Sequence, residues 1–117
     1  MKENVLLKLS QEFAVEIINL ANKLRSKRES SLADQIKRSS TSTSANIAEA
    51  NHPQSRADMI SKFEIALKEA NETENWLIIL QKSNLIELNQ FELLHKKLIK
   101  LKILLISSIK TLKSKSN

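Results

Sequence analysis

Not one of the 117 residues is glycine, and only one is proline. Tight β-hairpins and bulges place residues at positive φ, where glycine alone carries no steric penalty. A chain without glycine has few ways to turn a sheet back on itself. Aromatic residues make up only 3%, although pleated faces favour aromatic and β-branched side chains. The remaining vocabulary, rich in Leu, Ile, Lys, Glu, Ser and Asn, suits helices joined by polar turns. The expected fold class is all-α.

Apolar periodicity divides the chain into four helical segments, at about residues 4–26, 31–51, 56–82 and 90–114. In the first, Leu6, Leu9, Phe13, Ile17, Leu20 and Leu24 recur every three or four residues, while Glu12, Glu16, Asn19 and Lys23 lie on another face. The second is expected to start at Ser30 or Ser31, with Asp34 as a first-turn acceptor, and its stripe is Leu32, Ile36, Thr43 and Ile47. Ser39 to Ser44 is a run of six hydroxyl residues. Such side chains compete for the backbone and weaken helices. The stripe keeps one register across the run, so the segment is read as helix, with small side chains that let a neighbour approach closely. His52-Pro53 closes it, because the residue before proline is pushed out of the helical region.

Ser55 and Asp58 form a capping pattern for the third helix, carried by Ile60, Phe63, Leu67, Ala70, Leu77 and Leu80. Asn84 breaks it, and Leu85-Ile86 is expected to tuck back onto the bundle. Asn89 and Glu92 form a second capping pattern, predicting the start of the fourth helix. There Leu94, Leu98, Leu101, Leu105 and Leu112 make one apolar line, and Ile99, Ile103 and Ile106 make another. One apolar face suffices for a bundle helix in a monomer, so the isoleucines point to self-association. Short connections make sequential helices antiparallel. The expectation is a single domain over residues 1–117, an antiparallel up-down-up-down four-helix bundle, assembling as a homo-oligomer.

There is no cysteine, hence no disulfide framework or thiolate metal site. The N-terminus lacks a signal-peptide pattern, and no apolar run approaches the roughly 18 residues that span a bilayer. A cytoplasmic location with no membrane partner is expected. The formal charge of +6 and pI near 9.7 invite RNA or DNA as a partner, although lysine also serves simply to solvate helix faces. After Glu92 no acidic residue follows, while Lys96, Lys97, Lys100, Lys102, Lys110, Lys113 and Lys115 do. Arg38, Lys96, Lys97, Lys100, Lys110 and Lys113 are the candidate phosphate contacts. No aromatic residue interleaves with the lysines, so backbone contact rather than base stacking is the expected mode.

Catalytic chemistry finds little footing. Glu92-Leu93-Leu94-His95 has the Glu-x-x-His form used in di-iron bundles, but that chemistry needs the motif twice, and the only other histidine is His52. Glu64, Glu69, Glu72 and Glu74 form an acidic cluster with Lys62 and Lys68 nearby and no histidine partner, read as a solvated face or a patch for a basic partner. Phosphate-cradling loops need glycine. No catalytic residue, cofactor or metal is expected, and the chain is read as not an enzyme.

The stretch Arg38-Ser39-Ser40-Thr41-Ser42-Thr43-Ser44-Ala45-Asn46-Ile47-Ala48-Glu49-Ala50 resembles the signature of bacterial four-helix-bundle proteins related to the 23S rRNA intervening-sequence protein. Gln54 to Asp58, Ile65 to Ala70, Glu72-Thr73 and Trp76-Leu77 match their third helix, and Glu12-Phe13-Ala14 with Ile17 their first. The resemblance implies a ring-like homopentamer. It also implies kinship with the accessory protein of diversity-generating retroelements, which binds nucleic acid and a reverse transcriptase. By the same resemblance, Asn46 and Glu49 are buried or interfacial polar residues. The chain departs from the pattern at Ser40 and Ser44, where relatives often have glycine, and at Thr43, often isoleucine. The departures predict wider helix contacts or hydroxyl hydrogen bonds in their place. The resulting functional expectation is a non-enzymatic oligomeric scaffold that binds RNA or DNA through basic residues; the alternative is a protein–protein interaction module without a nucleic-acid role.

Overall fold

The computed structural model describes residues 2–115, which form four helices: α1 (Lys2–Ser26), α2 (Ser30–Ala50), α3 (Arg56–Lys82) and α4 (Leu88–Ser114). Each packs antiparallel to the next, and α4 closes the bundle against α1. The molecule measures 51 × 22 × 21 Å. At about 1.5 Å per residue, the long helices alone account for most of that length.

Two of the three connections solve, without glycine, a problem that glycine usually solves. Arg28 (φ 65°) and Asn84 (φ 59°) occupy the left-handed region. Around Arg28, the Glu29 N–H donates to Leu24 O at 2.8 Å and the Arg28 N–H to Arg25 O at 2.9 Å. Around Asn84, the Leu85 N–H donates to Leu80 O at 2.9 Å and the Asn84 N–H to Gln81 O at 3.1 Å. Both are Schellman closures, which satisfy the last carbonyls of α1 and α3. Asparagine tolerates this conformation, but arginine pays a Cβ clash of about 1–2 kcal/mol.

The helix starts divide into one expected cap and two corrections. At α3, Ser55 Oγ accepts from the Asp58 N–H at 3.0 Å, and Asp58 Oδ2 accepts from the Gln54 N–H at 3.2 Å. α2 starts at Ser30 as expected, but its cap is Glu29, with no side-chain bond, and Asp34 is held by Arg25 at 2.7 Å rather than accepting in the first turn. At α4 the cap is Glu87 rather than Asn89, again without a side-chain bond. The reason lies in the preceding turn. Asn84 reverses the chain and Ile86 is buried in the core, so helical geometry begins at Leu88 and leaves Asn89 and Glu92 exposed inside it.

The core takes its bulk from α1 (Phe13, Ile17, Leu20, Leu24) and α4 (Leu94, Leu98, Leu101, Leu105). Burying each such Leu or Ile contributes about 1.5–3 kcal/mol. In α2 and α3 the buried positions include Ala33, Ala50, Ala66 and Ala70, which permit close approach. The hydroxyl run is helical throughout, and Ser39, Ser40 and Thr43 are buried. Their hydroxyls donate back along α2, Ser40 Oγ to Lys37 O at 3.2 Å and Thr43 Oγ1 to Ser39 O at 2.9 Å. One hydroxyl pair crosses between helices, Thr73 Oγ1 to Ser39 Oγ at 2.7 Å. Hydrogen bonding between hydroxyls therefore joins α2 to α3 at the centre of the bundle.

Candidate functional site

The charged residues of α3 fall between two neighbours, and this settles what they do. Towards α2, Glu69 and Glu72 both accept from the Arg38 guanidinium, Glu69 at 3.2 Å. Towards α4, Glu64 accepts from Lys113 at 2.8 Å. Glu74 accepts twice, from Lys102 Nζ at 2.6 Å and from His95 Nε2 at 2.7 Å. The Phe91 ring stacks on His95 with centroids 5.1 Å apart. Lys102 first, and His95 second, hold the Glu74 carboxyl below the usual carboxylate range. All four acids of the cluster are thus engaged within the molecule, and none is left as an unpaired patch.

The six candidate phosphate contacts separate into two groups. Arg38 and Lys113 are paired as described, and Lys97 donates to Glu16 of α1 at 2.8 Å. Exposed pairs of this kind contribute about 0–1 kcal/mol each, so a phosphate can displace them at small cost. Lys96, Lys100 and Lys110 are exposed and, among the described residues, form no ion pair.

Glu49 spans α2 and α3 through Lys62 Nζ at 2.9 Å, and its carboxylate raises the lysine pKa. Asn46 does not reach a neighbouring helix: its amide donates to Ser42 O, one turn back, at 2.9 Å. The isoleucines of α4 face outward. Ile103 is 60% exposed and Ile106 39%, while Ile99 is half-buried. Beside them an open groove between α3 and α4 has Leu67, Ile106 and Ile109 on its floor and Lys68 and Lys110 at its rim.

Glu92 forms no hydrogen bond or ion pair with His95 among the described residues; His95 turns to Glu74 instead, so the Glu-x-x-His spacing does not gather a ligand pair. Among the described residues no three His, Cys, Asp or Glu side chains come together, and no helix is long and apolar enough to cross a membrane. The expectation that the acidic cluster has no histidine partner is overturned by His95 on Glu74, and the sequence did not show the Glu74–His95–Lys102 cluster. Its members lie on two helices, and no spacing within either one announces it.

These features define a class, an antiparallel four-helix bundle whose second helix carries a hydroxyl run followed by Ala45-Asn46-Ile47-Ala48-Glu49-Ala50. The chain belongs to the 23S rRNA-intervening sequence protein family, which it matches over residues 2–107. A solved relative is a protein of unknown function from the S23 ribosomal protein family of Bacteroides thetaiotaomicron, determined at 1.70 Å. It is 49% identical, superposes with a TM-score of 0.90, and is matched over 94% of this chain and 99% of its own. No curated protein matches the chain.

Proposed function

We propose that this protein is a non-enzymatic, cytoplasmic, homo-oligomeric scaffold that binds the phosphate backbone of RNA or DNA; five is the copy number implied by the family resemblance. The observation that carries the reading is the outer face of α4, which combines exposed isoleucines with Lys96, Lys100 and Lys110, none of them in an ion pair among the described residues. Apolar side chains left at a helix surface favour a protein contact, and unpaired lysines beside them favour an anion. The charge balance supports this, since the 19 basic residues exceed the 13 acidic ones, and Glu16, Asp34, Glu49, Glu64, Glu69, Glu72 and Glu74 are engaged in ion pairs between helices.

Titration of a structured RNA at increasing salt tests it. The expected result is measurable affinity at low salt that weakens steadily as salt rises; absent or salt-independent binding overturns the nucleic-acid role. The second reading, a protein–protein module, is favoured by one observation: Arg38, Lys97 and Lys113 are already engaged within the molecule. Affinity capture after nuclease treatment distinguishes the two, because only a protein module retains its partners.

A further inference from the structure

Two helix faces carry apolar side chains that the bundle leaves uncovered. On α4 the stripe Lys96, Ile99, Ile103, Ile106 and Lys110 follows alternating steps of three and four residues. Ile103 is 60% exposed and Ile106 39%. On α1 the stripe Val5, Lys8, Glu12 and Val15 follows the same steps, and both valines are more than half exposed. This is the a/d spacing by which one helix packs along another.

The two stripes stand on adjacent corners of the bundle, since α4 packs against both α3 and α1. The α4 stripe turns towards α3, where Ile106 and Lys110 border the open groove, while Glu12 lies on the side of α1 that faces α4. On wheels of about 3.6 residues per turn the two faces point roughly 100° apart. A face that meets a different face of the next copy makes a heterologous contact, and this angle closes it into a ring of about five copies.

We propose that the outer face of α4 docks against the outer face of α1 of a second copy of this chain, the contact repeating around a closed ring. The inference rests on the self-assembly reading above and assigns its surfaces. With the bundles standing along the ring axis, cyclic symmetry keeps every copy at one height, so residues level within one molecule are level across the contact. The Lys97–Glu16 pair fixes that level. It sets Ile99 opposite the partner's Val15, and Ile103 over the stems of the partner's Lys8 and the partner's Glu12. The charges match as well. Glu92 comes level with the partner's Lys23, and Lys96 is within reach of the partner's Glu12. Glu12, Lys23, Glu92 and Lys96 are all exposed, and none forms an ion pair among the described residues. Lys100 turns instead into the groove between α4 and its own α1, and stays open to phosphate.

The chain has no cysteine, so introduced thiols report the contact without background. Val15→Cys and Ile99→Cys variants, single and combined, are treated with a short bismaleimide and run denatured, with folding checked by circular dichroism. The two positions lie on different faces of one molecule, so the reagent joins them only between copies. Mixing the two single variants is expected to give a covalent dimer that neither gives alone. The combined variant is expected to give a ladder whose last rung counts the copies in the ring, and Ile103→Lys to abolish it. Ile103→Cys, well outside the core, replaces Ile99→Cys if substitution at the half-buried position unfolds the bundle. If the wild type is oligomeric by light scattering, a mixture that does not cross-link, or a single variant that cross-links to itself, overturns the α4–α1 contact while leaving self-assembly standing. A monomeric wild-type protein overturns both.

Discussion

Replacing Thr73 with valine tests whether the hydroxyl pair at the centre of the bundle joins α2 to α3 in the energetic sense as well as the geometric one. Thr73 and Ser39 are both fully buried, and their oxygens lie 2.7 Å apart. Valine keeps the shape of threonine, so little cavity or strain is added. The net loss of one hydrogen bond is about 0.5–1.5 kcal/mol. Ser39 Oγ still donates to Ile36 O at 3.3 Å, so it keeps one partner and incurs only part of the penalty for an unsatisfied buried group. Thr73→Val is therefore expected to destabilise by about 1 kcal/mol, and Ser39→Ala by a similar amount. The double variant loses both partners and leaves neither orphaned. It is expected to cost about 1 kcal/mol rather than the sum of the two, a coupling of about 1 kcal/mol. Urea unfolding followed by circular dichroism, with all variants at one protein concentration so that any association contributes equally, measures all four corners of the cycle. Additive single effects would refute the reasoning.

Two further outcomes follow from the turns and the α3–α4 contacts. Arg28→Gly removes the Cβ clash at φ 65° and frees the unfolded chain slightly, so thermal unfolding is expected to show a gain of about 0.5–1 kcal/mol; a loss would mean that the arginine side chain makes a contact of greater value. Glu74→Gln is expected to cost about 1–2 kcal/mol at neutral pH, because it removes the negative charge and replaces one of the two oxygens that accept from Lys102 and His95 with an NH2 donor. The Glu74 carboxyl is depressed in the folded state, so its stabilisation is present above the unfolded-state value of about 4.3 and disappears as pH falls through the folded one. Acid titration of stability should accordingly be shallower in the Glu74→Gln variant than in the wild type, and parallel curves would contradict the assignment.

Local signals in the sequence were legible where nothing remote competed with them. Ser55 stands just before α3 and Asp58 in its first turn, neither with a long-range partner among the described residues, and they cap α3 as their spacing predicts. Asn89 and Glu92 present a similar spacing and fail, because the buried Ile86 and the left-handed Asn84 bring the chain into helical geometry before Asn89 is reached. Asp34 fails as a first-turn acceptor for a different reason: Arg25, nine positions earlier, holds it across the α1–α2 turn. The hydroxyl run reads correctly as helix because Ile36 and Ile47 share one buried register across it. The outward isoleucines of α4 were legible too, as a second apolar line on a helix that needs one. What remained hidden depends on the rotation of one helix against another. Arg38 meeting Glu69 and Glu72, and Glu74 meeting both His95 and Lys102, follow from side-by-side packing that no single helix encodes.

The central claim, an anion-binding scaffold, is tested most directly by the dependence of RNA affinity on salt. Each phosphate contact contributes about −0.7 to −0.9 to the slope of log affinity against log salt. Three unpaired lysines on α4 therefore predict a slope of about −2 or steeper, and Lys100→Glu should make it shallower by about one contact. A slope near zero, or no binding at the lowest salt, would contradict the account.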